Sequence, residues 1–484
     1  MLPKAKQKGE KLTGERIRKE RDKRGLSQAN LARLLSMSQP KLSQWETGKC
    51  EPSANQLEGV WAALAKFDAA ISSGDLPNAI RPRSTKRILA KANGENEQEV
   101  FADPSESKAD RRDRLSAFKK KYKPVKKPVG IALFSGCGGM SLGFKEAGFH
   151  VPGFVELKSS ARRIYEANFQ DAVCLGHDVR AIEDDEVRQW KRTFGHVDVL
   201  FGGPPCQGFS LTGKRNKFDP RNQLYSHFAR IASILKPAAC VLENVRLLTS
   251  MKSPDGSLVI DRILEAFAEA GYNCTYRVVN AHDYGVPQSR ERVIVIAHRR
   301  KGPAATFPLP THGNSASDDR MLFDEPLKPF RTFRDACGDL ESLESGEKSE
   351  EDKYHFAVKH PEHVIRWLKD VPEGESAHNN DDPELRPPSG YNTTYKRLCW
   401  DEPSSTVSTT FGMISGCRNV HPENTRSLTI REAARCQTFP DDFEYCGTLG
   451  DIRTAIGNAV PPMLANAIAS HLLETVVQPK LATC

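Results

Sequence analysis

The sequence predicts an α/β protein: a mostly parallel, doubly wound sheet carrying an irregular insertion and preceded by a small all-α domain. Three observations predict it. From Pro128 onward, short apolar runs alternate with helical stretches, the pattern of strand–helix–strand units. The first run, "VGIALF", opens into the glycine-rich stretch "SGCGGMSLGF", which fits a turn from a strand into a helix. Over residues 10–65, apolar residues recur at three- and four-residue spacing, with Gly, Ser and Pro as breaks, which is the helical period. A chain of 484 residues accommodates two or three domains.

In chain order, residues 10–68 read as the helical domain. Ser27 is placed to cap a helix over 27–35, "SMS" forms a turn, and Pro40 falls in the first turn of the next helix, where proline is tolerated. Residues 69–127 combine low apolar content with charge runs such as "KKKYKPVKKP" and read as a basic, polar linker. Residues 128–300 supply the alternation: "VGIALF", "VPGFVE", "DAVCLG", "VDVLF", "AACVLENV", "YNCTYRVVN" and "RVIVIAHR" as strands, with "SSARRIYEANF", "QLYSHFARIASILKP" and "IDRILEAFAEAG" among the helices. Residues 301–424 lose the rhythm and read as a separate irregular domain, and regularity returns over 425–478 with "LTIREAARCQTF" and a last helix after "GNAVPP".

Charge is unevenly placed. The net charge is +8, yet residues 1–128 hold 29 Lys and Arg against 16 Asp and Glu, and the remaining 356 residues hold 41 against 46. The basicity belongs to the first quarter, as a footprint for a polyanion or as a solvated tail. Twelve cysteines include no CxxC pair, so neither a zinc site nor a disulfide framework is expected, and the thiols read as reduced. No apolar run is long enough to span a bilayer, and the basic N-terminus lacks the apolar stretch of a signal peptide. The expectation is therefore a cytoplasmic protein with no membrane partner and no metal.

The chemistry-bearing residues sit at strand ends. Gly136, Gly138 and Gly139 let backbone N–H groups and a helix N-terminus face a ligand, although Ser141 stands where a dinucleotide loop has its third glycine. Glu156 lies 20 residues beyond Gly136, and Asp178 follows the third strand. Acids there suit ribose hydroxyls and an adenine amino group, so a nucleoside-bearing cofactor is expected. In "GGPPCQGFS", prolines and glycines stiffen the chain on both sides of Cys206, as a turn around an inert thiol or as the mount of a nucleophile. Glu243, in "VLENV", ends another strand, and a thiolate beside a carboxylic acid suits attack on an electron-poor ring. Arg290 and Arg292, in "QSRERVIVIA", alternate and are expected to point to one side.

Taken in order, "ALFSGCGGMSLGF", "VPGFVE", "GHDVR", "DVLFGGPPCQGFS", "VLENV", "VPQSRERVIVIA", "RSLTIREAARCQTFPDDF" and "IGNAVPP" resemble the motif series of bacterial DNA (cytosine-5) methyltransferases of restriction–modification systems. The resemblance implies a Rossmann-like S-adenosylmethionine-dependent methyltransferase domain over 128–300 and 425–478, with a target recognition domain over 301–424. It implies Cys206 as the nucleophile on C6 of a flipped-out cytosine. Glu243 would be the acid at N3 and Arg292 its support, with Arg290 in the same cluster. Phe134, Gly136, Gly138, Glu156, Asp178, Pro205 and Asn458 match cofactor-pocket positions. Leu157 departs from the family, which often has an aromatic residue stacking on adenine there. The N-terminal "LSQANLARLLSMSQPKLSQWETGK" resembles a Cro/CI-type helix-turn-helix, which implies Gln39, Lys41, Ser43 and Gln44 as major-groove residues. The implied partners are double-stranded DNA at a target site and an operator, with a companion restriction endonuclease that shares the site but need not bind. Two other readings share these motifs: an RNA (tRNA) cytosine-5 methyltransferase, and a regulator whose α/β domain senses a cofactor without catalysis.

Overall fold

The computed structural model describes residues 12–24, 26–73, 106–205, 224–253, 255–314, 327–415 and 418–478. The chain divides into two compact units, 1–105 and 106–484.

The N-terminal unit has four helices: α1 (Leu12–Lys23), α2 (Gln28–Leu34), α3 (Gln39–Glu46) and α4 (Ala54–Ser73). Their apolar positions close one core around Ile17, Leu31, Leu42, Trp45, Val60 and Phe67. The Ser27 hydroxyl caps α2 by accepting from the Asn30 N–H at 3.1 Å. A left-handed Ser36 (φ 50°) turns the chain, and Pro40 stands in the first turn of α3. A buried ion pair ties α1 to α3: Arg21 donates from Nε to Glu46 Oε1 at 2.5 Å and from Nη2 to Oε2 at 2.9 Å.

In the second unit the reading of 69–127 as a linker is corrected at its C-terminal part. Residues 108–121 form α5 (Lys108–Lys121), started by a capping box of Ser107 and Asp110. It is held to the fold by Leu115 in the core and by Arg111, which donates to Glu186 at 2.8 and 3.0 Å. A highly charged helix is legible only from such partners, because its own sequence carries a narrow apolar stripe.

Seven strands follow: β1 (Val129–Leu133), β2 (His150–Val155), β3 (Val173–Gly176), β4 (Val199–Gly202), β5 (Ala239–Val245), β6 (Tyr272–Asn280) and β7 (Glu291–Arg299). They form one sheet in the order β3-β2-β1-β4-β5-β7-β6. The first five are parallel, joined by helices that include α6 (Gly139–Glu146), α7 (Ser159–Asn168), α8 (Asp184–Phe194) and α9 (Leu224–Leu235). After α10 (Val259–Glu269), β6 and β7 depart from the parallel pattern, and β7 runs antiparallel to both its neighbours. Only residues 281–290 separate β6 from β7, too few for a parallel crossover.

Alternate strand residues feed the two faces. Ile131, Leu133, Leu200, Leu242 and Val295 join one core with Trp190, Phe228 and Phe267. Ala132, Phe201, Val241 and Ile296 join the other. That second core also holds Phe333 and Cys337 of α11 (Phe333–Cys337), together with Tyr354, Leu398, Val407 and Phe411. The irregular stretch is thus not walled off as the sequence suggests: much of it shares the core of the sheet. A small satellite cluster around α12 (Glu362–Leu368), with Val371, Tyr395, Ile414 and Val420, stands apart. The chain returns through α13 (Ile430–Cys436), α14 (Leu449–Asn458) and α15 (Pro462–Leu472). α15 lies so close to α6 that a Cβ on Gly143 would sit 2.6 Å from the Ala465 Cβ.

A buried ion pair fixes the returning segment. Arg426 donates to both Glu432 oxygens at 2.8 Å, and the Thr429 N–H donates to Oε2 at 2.8 Å. Burial alone would raise the Glu432 carboxyl, but Arg426 outweighs it and holds the group at about 2 against an ordinary 4.5. His421 lies 3.8 Å from it and is pushed down by burial from 6.5 to about 3. Both groups bind protons more readily in the unfolded chain, so stability is full above pH 6.5 and falls as pH drops through 4.5 towards 2. Glu432 alone contributes roughly 3 kcal/mol to that loss. Urea midpoints measured from pH 7 to pH 3 are expected to fall steadily, and Glu432→Gln to flatten the acid limb.

Candidate active site

The strand order reverses between β1 and β4, so the loops leaving their C-terminal ends diverge and open a crevice, the usual ligand position in such sheets. It is lined by Phe134, Ser135 and Gly136 after β1, Gly202 at the end of β4 and Gly203 after it, Glu243 of β5, and Asn458 at the end of α14 and Ala459 after it. Gly202 is required where β4 leaves the sheet, because a Cβ there would collide with the Leu133 carbonyl oxygen.

The loop after β1 is conformationally demanding: Phe134 (φ 53°), Gly136 (φ 57°) and Gly138 (φ 103°) are all left-handed, and Phe134 has no glycine's freedom there. At Gly136 no atom lies within 4 Å of where a Cβ would project, so the loop faces open space. Its N–H donates to Glu156 Oε2 at 2.8 Å, and the Lys158 N–H donates to Oε1 at 2.8 Å. Burial raises the Glu156 carboxyl above its ordinary value.

Asp178 follows β3. It accepts from the Arg180 N–H at 2.9 Å and from the Arg180 guanidinium at 3.0, 3.0 and 2.6 Å. Burial alone would raise its carboxyl, but Arg180 outweighs burial and holds it below the ordinary value. Arg180 was legible only as the last letter of "GHDVR". Leu157, just past β2, is 48 % exposed and presents an aliphatic side chain at the rim.

At the other wall, Arg292 Nε stands 2.9 Å from Glu243 Oε1. The register explains the pair. Arg292 lies opposite Val245 across β5 and β7 and therefore reaches Glu243 two residues back on the same face. Burial lowers the Arg292 guanidinium and Glu243 opposes that shift. Glu243 Oε2 lies against Gly203, where an added Cβ would stand 2.8 Å away. Asn244, which sequence reasoning passed over inside "VLENV", donates from Nδ2 to the Pro204 carbonyl at 2.8 Å. It thereby pins the proline loop to β5. Pro205 is the last described residue of that loop, and Cys206 lies outside the described residues.

Arg290 points inward, with the exposed Ser289 and Glu291 on either side of it. It is 1 % exposed and donates to the carbonyls of Val407 at 3.1 Å, Gly457 at 2.8 Å and Ala459 at 3.0 Å. Its side chain reaches the C-terminal end of α14, where the helix dipole offers partial negative charge. Of the two arginines, Arg292 contacts the carboxylate and Arg290 clasps carbonyls beside it, near enough that Arg292 and Glu243 both act on its charge.

Gly203→Ala is expected to lower kcat by about 10²-fold by turning the Glu243 carboxylate away from its set position, with little loss of fold. Steady-state kinetics with a thermal melt as control checks this.

In the N-terminal unit, Gln39, Lys41 and Gln44 of α3 are exposed and Ser43 is half-buried, while Leu31 and Leu42 face the core. Among the described residues no group of three or more His, Cys, Asp or Glu is placed to hold a metal ion. No described helix is long and apolar enough to cross a membrane.

A doubly wound sheet with a glycine turn, two acids beyond successive strands and a carboxylate–arginine pair at the switch point fits a class: α/β proteins of methyltransferase-like fold. The comparisons narrow the class. Residues 130–474 match the family model for C-5 cytosine-specific DNA methylases, and residues 13–67 match a helix-turn-helix domain. The chain is 39 % identical over 351 residues to the Type II methyltransferase M1.HphI of Haemophilus parahaemolyticus, covering 71 % of this chain and 86 % of that one. It is 32 % identical over 385 residues to M.XorII of Xanthomonas oryzae pv. oryzae, covering 72 % and 85 %. A crystal structure of a DNA modification methyltransferase encoded within an E. coli prophage shares the fold, with a TM-score of 0.56 and 24 % identity over 72 % of this chain and 99 % of that one. The chain belongs to the C-5 cytosine-specific DNA methylase family, and its activity is methyl transfer to C5 of cytosine in DNA.

Proposed function

We propose that Cys206, Glu243 and Arg292 carry the reaction on a cytosine swung out of a specific double-stranded DNA site, with S-adenosylmethionine as methyl donor. The observation that supports this most strongly is the Glu243–Arg292 pair at 2.9 Å, set beside the loop that leads through Pro204 and Pro205 to Cys206. The crevice suits the cofactor: Gly136 faces open space, and Glu156, oriented by two N–H donors, suits ribose hydroxyls. Asp178 suits the adenine amino group, and Phe134, Gly138, Pro205 and Asn458 complete the surround. S-adenosylmethionine supplies an electrophilic methyl group.

The Cys206 thiolate adds to C6 of the cytosine, which makes C5 nucleophilic. Glu243 supplies the proton at N3, so that negative charge does not build on the ring. Arg292 orients Glu243 and supports the ring. Once C5 carries the methyl group, its proton leaves and the C6–S bond breaks, restoring the aromatic ring and the free thiol. Arg290 acts as a positioning residue, holding residues 457–459 at the crevice wall.

In this reading the site methylated is one that a companion restriction endonuclease would cut, and the two need share only the DNA sequence. The helix-turn-helix binds an operator in its own locus through Gln39, Lys41, Ser43 and Gln44 and represses transcription. The setting is the cytoplasm, where such DNA is met. Incubation of the purified protein and Cys206→Ala with S-adenosylmethionine and plasmid DNA, followed by bisulfite sequencing, tests the reading. Methylation at one short motif, lost in the variant, is expected; methylation retained by Cys206→Ala would contradict it.

A further inference from the structure

α5 and α8 lie side by side and run in the same direction. Lys108 stands by Glu183 and Asp185, Arg111 pairs with Glu186, and further along Phe118 packs edge-on against Phe194. Charge is zoned along this pair. The N-terminal halves are knit by opposite charges, including Arg112 on Asp185 at 2.7 Å. The C-terminal halves and the connections that follow them contain no acid at all over 115–127 and 187–197. Nine cations are exposed there: Lys119, Lys120, Lys121, Lys123, Lys126 and Lys127 on one strand of chain, and Arg188, Lys191 and Arg192 on the other. None of the nine forms an ion pair among the described residues. A groove between the helices is floored by Leu115 and Gln189 and rimmed by Lys119 and Arg192.

Helix dipoles account for cations in the last turns of α5 and α8, but not for Lys123, Lys126 and Lys127, which lie beyond the helix. Like charges gathered without acids repel one another, and a surface with no anionic partner gains nothing from them. The patch also has a definite place. It precedes Val129 of β1 and Val199 of β4, so it lies at the N-terminal edge of the parallel strands, opposite the edge that carries the crevice.

We propose that this patch is a further DNA surface, besides the crevice and the helix-turn-helix: a sequence-independent seat for the phosphate backbone of duplex DNA, separate from the duplex whose cytosine is methylated. The lysines are exposed while their aromatic neighbours Phe118 and Tyr122 are taken up in ring contacts with each other, Phe194 and His150, which suits phosphates rather than unstacked bases. The surface holds the enzyme on DNA while the crevice is empty or engaged, and it predicts transfer between duplexes.

The test uses the full-length protein and a variant in which Lys119, Lys121, Lys123, Lys191 and Arg192 are all replaced by Gln. Binding to a fluorescent duplex that lacks the methylation motif is measured across salt concentrations. The variant is expected to bind about tenfold or more weakly at moderate salt, with the slope of log K against log salt reduced in magnitude by about 3 to 4. Wild-type protein saturated with a short target duplex is expected to retain the second duplex, and the variant, left with the helix-turn-helix alone for it, to hold it about tenfold or more weakly. Single-turnover methylation of the saturating short duplex stays unchanged and shows that the variant is folded. An unchanged slope and affinity would overturn the proposal. So would a loss that appears only with RNA, which would assign the patch to a different nucleic acid.

Discussion

Glu243→Gln is expected to lower kcat by about 10²–10⁴-fold, the range for loss of a positioned proton donor. Glutamine has the size of glutamate and its amide oxygen can still accept from Arg292, so the β5–β7 register and the crevice wall stay in place. What disappears is the group that can place a proton on a ring nitrogen. The loss falls on the chemical step, so kcat and kcat/KM drop together while DNA affinity changes little. Arg292→Ala leaves the carboxylate without the contact at 2.9 Å and is expected to lower kcat too. Because both substitutions act on one unit, the double variant loses less than the sum of the two. Steady-state kinetics on a duplex with one methylation site, with a denaturation curve for each variant, checks both statements.

Arg290→Met is expected to reduce stability by about 3–5 kcal/mol, the scale for opening a buried polar network. The guanidinium bridges two segments distant in sequence: residue 407 in the irregular stretch, and Gly457 and Ala459 where α14 ends at the crevice. Methionine fills most of the volume but leaves three carbonyls buried without donors. The effect reads as a lowered urea midpoint of the 106–484 unit. At temperatures where the variant is folded, activity falls far less than in Glu243→Gln. An equal loss of kcat without loss of stability would instead place Arg290 at the reacting ring.

The parallel part of the sheet and the crevice at its switch point are legible in the sequence because each strand is a short buried run closed by a glycine or an acid. The direction of β7 is not in its apolar pattern. It lies in the ten-residue connection 281–290, too short for a crossover. Helix α5 escaped because its contacts are largely ion pairs to α8, with only Leu115 and Phe118 as apolar anchors, and no periodicity in "KADRRDRLSAFKKK" announces them. The 301–424 stretch reads as irregular, and its described residues hold only short helices, yet Phe333, Val407 and Phe411 share the core of the sheet. Single apolar residues in loops carry no period that reveals such sharing.

At the site, Glu243 and Arg292 were visible as residue types at strand ends, and the β5–β7 register turns them into a pair. Arg180, Asn244 and Gly203 were missed for a common reason. Each acts on a neighbour rather than on a ligand, and its value depends on a contact that only the fold creates: Arg180 on Asp178, Asn244 on the Pro204 carbonyl, Gly203 by leaving room for a carboxylate oxygen. The carbonyl partners of Arg290 lie on segments far along the chain, which its place in "QSRERVIVIA" does not announce.

The central claim is that Cys206 becomes bonded to the cytosine. A duplex carrying 5-fluorocytosine at the methylation site tests it directly. After methyl transfer, C5 bears fluorine where a removable proton belongs, so the C6–S bond cannot be released by elimination. With S-adenosylmethionine present, the wild-type protein is expected to give a protein–DNA adduct stable to denaturing electrophoresis, with its mass equal to protein plus methylated duplex strand, and Cys206→Ala to give none. An adduct of the same mass in Cys206→Ala, or methyl transfer by wild type to unmodified DNA with no adduct on the fluorinated duplex, would contradict the account.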